Sequence, residues 1–179
     1  MKNLVLVLAL MLSSVIYAQN DVTKFLGIPV DGTKVEMKKK LIAKGFTPTK
    51  IVGSDFLEGQ FNGISVRVYI VTNNNKVCRI AVHDASTCDE AQIRIRFNNL
   101  IYQFKNNKRY TCLVAEGIPE SEDISYEMTF NSKSYQAAFC QDSDENKLVW
   151  FGIWQNSYTK YSLTIYYENE YNKANGEDL

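Results

Sequence analysis

Ile64, Val66, Val68 and Ile70 alternate with Ser65, Arg67 and Tyr69, directly after the dipeptide Asn62-Gly63. This combination restricts the chain more than any other feature. A type I′ turn needs positive φ at both central positions, which Asn-Gly tolerates, and a period of two marks a half-buried strand. The spacing predicts a hairpin joining residues 55–61 to 64–70. Asn73-Asn74-Asn75 makes the next turn, and residues 76–83 form a further strand with Cys78, Ile80 and Val82 on one face. Register is fixed by the alternation, since a one-residue slip would turn the aliphatic row outward.

Helical periods frame this meander. Thr33 and Glu36 read as a capping box that opens a helix over residues 34–44, closed by Gly45. Val35, Leu41 and Ile42 fall on one face of it, with Met37 beside Leu41. Thr87 and Glu90 read as a second box. Ile93, Phe97, Leu100, Ile101 and Phe104 then make a continuous apolar stripe, which predicts a helix over 88–106. A loop containing Pro119 follows. Four strands are predicted beyond it: 124–130, with Ile124, Tyr126, Met128 and Phe130 alternating; Tyr135 to Phe139; Leu148 to Trp154; and Tyr161 to Tyr167. The loop Asp142 to Asn146 and a turn at Asn156-Ser157 separate the last three. The order is helix, three strands, helix, four strands. It predicts an α+β fold with two helices packed on one face of antiparallel β-meanders, in half-repeats 25–84 and 87–167.

The amino terminus predicts a compartment. Met1-Lys2-Asn3 is positively charged, Leu4 to Leu12 is uninterruptedly apolar, and Ala18 precedes a polar stretch. That is the pattern of a signal peptide over 1–18. The apolar run is too short for a spanning helix, which needs about 20 residues. The expectation is a periplasmic or secreted protein without a stable membrane anchor, one domain over 19–167, and a polar tail over 168–179. With 20 basic and 20 acidic residues, the chain has no electrostatic footprint for nucleic acid. Four cysteines in an oxidising compartment predict up to two disulfides among Cys78, Cys88, Cys112 and Cys140. Three pairings are open; closing the shortest loops favours Cys78–Cys88 with Cys112–Cys140. Their spacing lacks the close pairs of a zinc site. No metal or cofactor is expected.

Few residues suggest chemistry. His83, the only histidine, is followed by Asp84, but adjacent strand residues point to opposite faces. Asp142-Ser143-Asp144-Glu145-Asn146 opens like a calcium loop, yet Lys147 and Ile153 stand where glycine and glutamate are required. Glu116, Glu120, Glu122, Asp123 and Glu127 offer carboxylates for a glycosidase pair without marking one pair over another. No catalytic residue is singled out. The aromatic surplus is more informative. Trp150 and Trp154 share one face of their strand, Val149, Phe151 and Ile153 the other, and Tyr158, Tyr161, Tyr166 and Tyr167 lie near in sequence. Such a strand is either covered on both sides, the tryptophans packing under the helix, or presents one face to a partner. Trp150, Trp154 and Tyr161 are the binding candidates.

The segment FLGIPVDGT from Phe25 to Thr33, followed by a lysine-rich helix and Lys44-Gly45-Phe46, resembles small exported proteins of unknown function from Gram-negative gut bacteria. The tandem helix-plus-meander order resembles the β-lactamase-inhibitor-protein-like fold, shared with small outer-membrane assembly lipoproteins. The chain departs from those lipoproteins in having no cysteine after its apolar run. The resemblance implies protein binding more than catalysis. The expected function is a protein- or ligand-binding module, an inhibitor being one form, directed at an extracytoplasmic protein or glycan. The alternative is a hydrolase of the cell envelope or of glycans, using carboxylates of the 116–127 region.

Overall fold

The structure is a computed structural model and describes residues 21–51 and 53–173. The signal peptide expected at 1–18 lies outside the described residues. In chain order the elements are β1 (Lys24–Phe25), β2 (Ile28–Pro29), α1 (Lys34–Ala43), β3 (Thr47–Ile51), β4 (Ser54–Phe61), β5 (Ile64–Asn73), β6 (Lys76–Asp84), α2 (Glu90–Asn106), β7 (Tyr110–Ala115), α3 (Ile124–Phe130), β8 (Gln136–Gln141), β9 (Leu148–Ser157) and β10 (Lys160–Glu168), with a 3-10 turn at Glu170–Asn172. The fold is α+β. Eight strands form one antiparallel sheet in the order β3-β4-β5-β6-β10-β9-β8-β7, and β1 pairs with β2 alone.

α1 begins as its sequence predicts. Glu36 donates its backbone N–H to the Thr33 hydroxyl at 3.3 Å, and the Glu36 carboxylate accepts from the Thr33 N–H at 2.9 Å. It ends in a Schellman motif: Gly45, at φ +95°, donates to the Ile42 carbonyl and Phe46 to that of Leu41. Only Met37 and Leu41 are buried, however; Val35 and Ile42 are exposed. α2 buries all five residues of the predicted stripe. Its cap is Asp89 with Gln92, not Thr87 with Glu90. The start is delayed because Cys88 is held extended, exchanging two backbone hydrogen bonds with Tyr161 at 2.8 and 2.9 Å.

Segment 124–130 is a helix rather than the predicted strand. Asp123 caps it by accepting from the Tyr126 N–H at 2.8 Å, and the Glu90 carboxylate accepts from the N–H groups of Ile124 and Ser125. Seven residues with apolar groups at 124 and 128 fit a 3.6 period as well as alternation, and the anion at the helix start decides between them. The fourth strand of the second half is β7 instead, in what reads as a loop.

Cross-strand register aligns one core face: Leu57 opposite Val68, Val68 opposite Val82, Val82 opposite Ile165, Ile165 opposite Phe151 and Phe151 opposite Ala137. These residues share one hydrophobic cluster with Met37 and Leu41 of α1 and the α2 stripe. A bulge between Val71 and Thr72 changes the predicted face of β6, so Val77 joins Ile80 and Val82 in the core and Cys78 does not. Phe25 of β1 packs against Phe46, Phe61 and Tyr167, closing one end of the core.

The four cysteines are free thiols, which corrects the expected disulfides. Cys78 lies in β6 near the level of the Ile80–Tyr167 pair, whereas Cys88 bridges to Tyr161 at the far end of β10. Six strand residues separate those levels, about 20 Å at the usual rise per residue, well beyond disulfide reach. Cys112 stands opposite Phe139 and Cys140 opposite Thr111, so these two point to opposite faces of the sheet. The tail also begins later than residue 168. Glu168 and Asn169 are buried, and the Asn169 side-chain amide donates to the Val30 carbonyl at 2.7 Å.

Candidate binding face

The face of the sheet turned away from the core carries an aromatic and charged cluster. Tyr166 lies opposite Trp150 on β9 and Ala81 on β6. The Trp150 and Tyr166 rings stack with centroids 4.0 Å apart and planes inclined by 17°. Arg79 lies over the other part of this shelf, its guanidinium carbon 5.3 Å from the Tyr166 ring centre. Both neighbours are fastened to one carboxylate. Arg79 Nε and Trp150 Nε1 each donate to Glu168 Oε1 at 2.8 Å, and Lys173 Nζ lies 3.6 Å from Oε2. The Glu168 side chain is 0% exposed. A buried carboxylate held by two such donors fixes both side chains in single orientations.

The shelf has open ground beside it. A cavity of about 360 Å³ is lined by Val114, Gln136, Ala138, Leu148 and Trp150. On its other side Gly152, Ser162 and Thr164 are small and buried, and Trp154, 47% exposed, rises beyond them opposite Ser162. A side chain at Gly152 would be tight, since a Cβ there would lie 3.2 Å from the Tyr135 carbonyl oxygen and 3.3 Å from Gln136 Cγ. Farther along the same row the Phe56 and Tyr69 rings meet at 5.5 Å, tilted by 45°.

The three binding candidates therefore divide. Trp150 and Trp154 share the outer face and do not pack under a helix; Val149, Phe151 and Ile153 fill the core instead. Tyr161 is 0% exposed, in the core on the opposite side. Sequence reading missed Arg79, Tyr166 and Glu168 as a set. The one available signal was the alternation of Ser162, Thr164, Tyr166 and Glu168 along β10.

The residues suggestive of catalysis are dispersed. His83 shares a 2.7 Å hydrogen bond between Nδ1 and the Thr164 hydroxyl on the outer face. Asp84 points the other way, where Arg96 binds it through Nε and Nη2 and the Leu163 N–H donates to it. Burial lowers the His83 pKa, the Asp84 charge opposes that, and Arg67 adds to it. In the 116–127 region Asp123 is spent as a helix cap, and Glu127 accepts from the Asn131 amide. Glu122 accepts from Lys133 and from the Tyr135 hydroxyl, which hold its carboxyl below the usual range. A glycosidase acid requires a shift in the other direction. In the Asp142–Asn146 loop, Asp142 pairs with Lys147 and Asp144 accepts from the Asn146 N–H. Comparison of the chain with known protein families, with curated proteins and with solved structures finds no match, and the chemistry of this face is its own best guide.

Proposed function

We propose that the chain is an exported binding module that captures an extracytoplasmic protein on the outer face of its sheet. The observation that carries this reading is the Trp150–Tyr166–Arg79 cluster, locked around buried Glu168. Trp, Tyr and Arg are the residue types that dominate binding hot spots, and rigid aromatic groups bury area at small entropic cost. The apolar hollow at Val114, Ala138 and Leu148 offers room for an anchoring side chain. A glycan stacking on the same rings is the competing ligand class.

The strand order supports reading the two halves as tandem units, each a helix followed by four neighbouring strands, the second interrupted by α3 between β7 and β8, with β6 and β10 meeting at the centre. All three helices contribute to the single core cluster, α3 through Ile124, in keeping with helices on one face and a free face opposite. The arrangement resembles the β-lactamase-inhibitor-protein-like fold, and that resemblance supports binding over hydrolysis by the 116–127 carboxylates.

The test is affinity capture from the native envelope with the wild-type mature chain and with Trp154→Ala and Tyr166→Ala, followed by titration calorimetry on the partner identified. Neither substitution removes a donor to Glu168, so the fold is spared. A loss of affinity of 10-fold or more in each variant is expected. Equal affinity in all three proteins rejects the face. In the same experiment the endogenous protein should begin at Gln19, and a chain beginning at Met1 rejects export.

A further inference from the structure

The open sheet has two edges, and they are built differently. β3 is short and contains Pro48 and Lys50, residues that discourage strand addition. β7, YTCLVA, has neither proline nor charge; Leu113 is 43% and Val114 64% exposed. Among the described residues β7 pairs only with β8, so its other backbone edge has no strand partner; at its ends the Tyr110 N–H donates to the Asn107 carbonyl and the Ala115 carbonyl accepts from Lys105 Nζ. Charge is placed just outside the strand and is asymmetric: Lys105, Lys108 and Arg109 precede it, while Glu116 and Glu120 follow. A strand of this kind is complementary to an antiparallel copy of itself.

We propose that β7 is the seam of a twofold homodimer, with two copies joined edge to edge. The register follows from the residue faces. Tyr110, Cys112 and Ala115 stand opposite Gln141, Phe139 and Ala137, whereas Thr111 and Val114 stand opposite Cys140 and Ala138 on the outer face. Between Cys112 and Val114 the register shifts at Leu113, so alternation changes phase there. A twofold axis normal to the sheet keeps each face on its own side. It therefore sets Tyr110 against Ala115, Thr111 against Val114 and, just beyond the strand, Arg109 against Glu116. Cys112 and Leu113 of both copies meet at the axis. Opposite charges end the seam on both sides, and a parallel or slipped pairing would lose them. The dimer is an isologous one, and it brings the two hollows beside Val114 to adjoining positions on one side of a continuous sheet.

This inference concerns an edge and stands apart from the reading of the outer face. Its test uses the full mature chain. Sedimentation equilibrium should give a reversible, concentration-dependent dimer. A short bismaleimide should cross-link wild type through Cys112, and Cys112→Ser should abolish the cross-link with the other thiols retained. Arg109→Glu and Glu116→Arg, each alone, should weaken dimerisation at least 5-fold, and the double exchange should restore it. A monomer throughout the millimolar range overturns the proposal. So does a dimer that ignores the charge exchange, or whose cross-link persists in Cys112→Ser. The wild-type cross-link is read on unmutated protein and does not depend on any variant folding.

Discussion

Glu168 and His83 sit on the same sheet face, His83 at the level of Thr164, four residues before Glu168 along β10, and only His83 stands out in the sequence. Glu168 stands at the end of a strand, at what reads as the start of a polar tail; its importance comes from Arg79 on another strand, which only the fold brings within 2.8 Å. His83 was legible in part: the period of two already separated it from Asp84, and the structure keeps them on opposite faces. Its surroundings set its charge. Burial disfavours the imidazolium most, Asp84 resists that effect, and Arg67, opposite His83 on β5, reinforces it. The folded pKa thus lies below the unfolded value of 6.5. As pH falls below 6.5 the unfolded chain takes up the proton first, so stability present above that pH declines. Urea midpoints measured from pH 7.5 to 5.5 should decrease for wild type and stay level for His83→Gln, which retains a hydrogen-bonding partner for Thr164. The lowered carboxyls of Asp55 and Glu122 act in the same sense but below about pH 4.5. Parallel midpoints in the two proteins would refute the assignment.

Elements were legible where they obeyed one period for long enough. The α2 stripe runs over about three turns and every residue of it is buried. The Asn62-Gly63 turn is as predicted, at φ +51° and +76°. Residues 124–130 were not legible, because seven residues cannot separate two periods and the deciding contact comes from Glu90 on another element. β7 was missed for a different reason: an edge strand with little buried surface has no apolar alternation to display. The start of α2 was misplaced by two residues because Thr-x-x-Glu and Asp-x-x-Gln overlap there, and the Cys88–Tyr161 bridge selects the second. The cap can be tested directly. Asp89→Ala removes the acceptor for the Gln92 N–H and should cost about 1 kcal/mol in chemical denaturation. Thr87→Ala should cost less than about half of that, since Thr87 lies outside the helix. A larger effect at Thr87 would restore the capping box that the sequence suggested.

At the scale of the molecule the question is whether the two halves, β3–β6 and β7–β10, behave as one. The central junction is β6 against β10, five consecutive pairs from Thr164–His83 to Glu168–Arg79. On its core side apolar contacts pass between the halves, with buried Asp84 bonding Arg96 and the Leu163 N–H at one end. Phe25 touches Phe46 and Phe61 on one side and Tyr167 on the other, and Val82 faces Ile165, which faces Phe151. The two exposed faces of this junction, had the halves separated, would be rows of Ile, Val, Leu and Tyr. Opening one half alone would therefore strip the other of much of its buried surface, and the free energies of the two openings should coincide. Both tryptophans lie in β9, so fluorescence reports the second half, while far-ultraviolet circular dichroism reports the whole chain. The two denaturation curves should superimpose, with calorimetric and van't Hoff enthalpies equal. Native-state hydrogen exchange sharpens the test: the slowest amides of β5 and of β9 should exchange through openings of equal free energy. A lower value for β5 with β9 still protected would mean that β3–β6 unfold independently, and the halves would then be two domains joined by a strand pair.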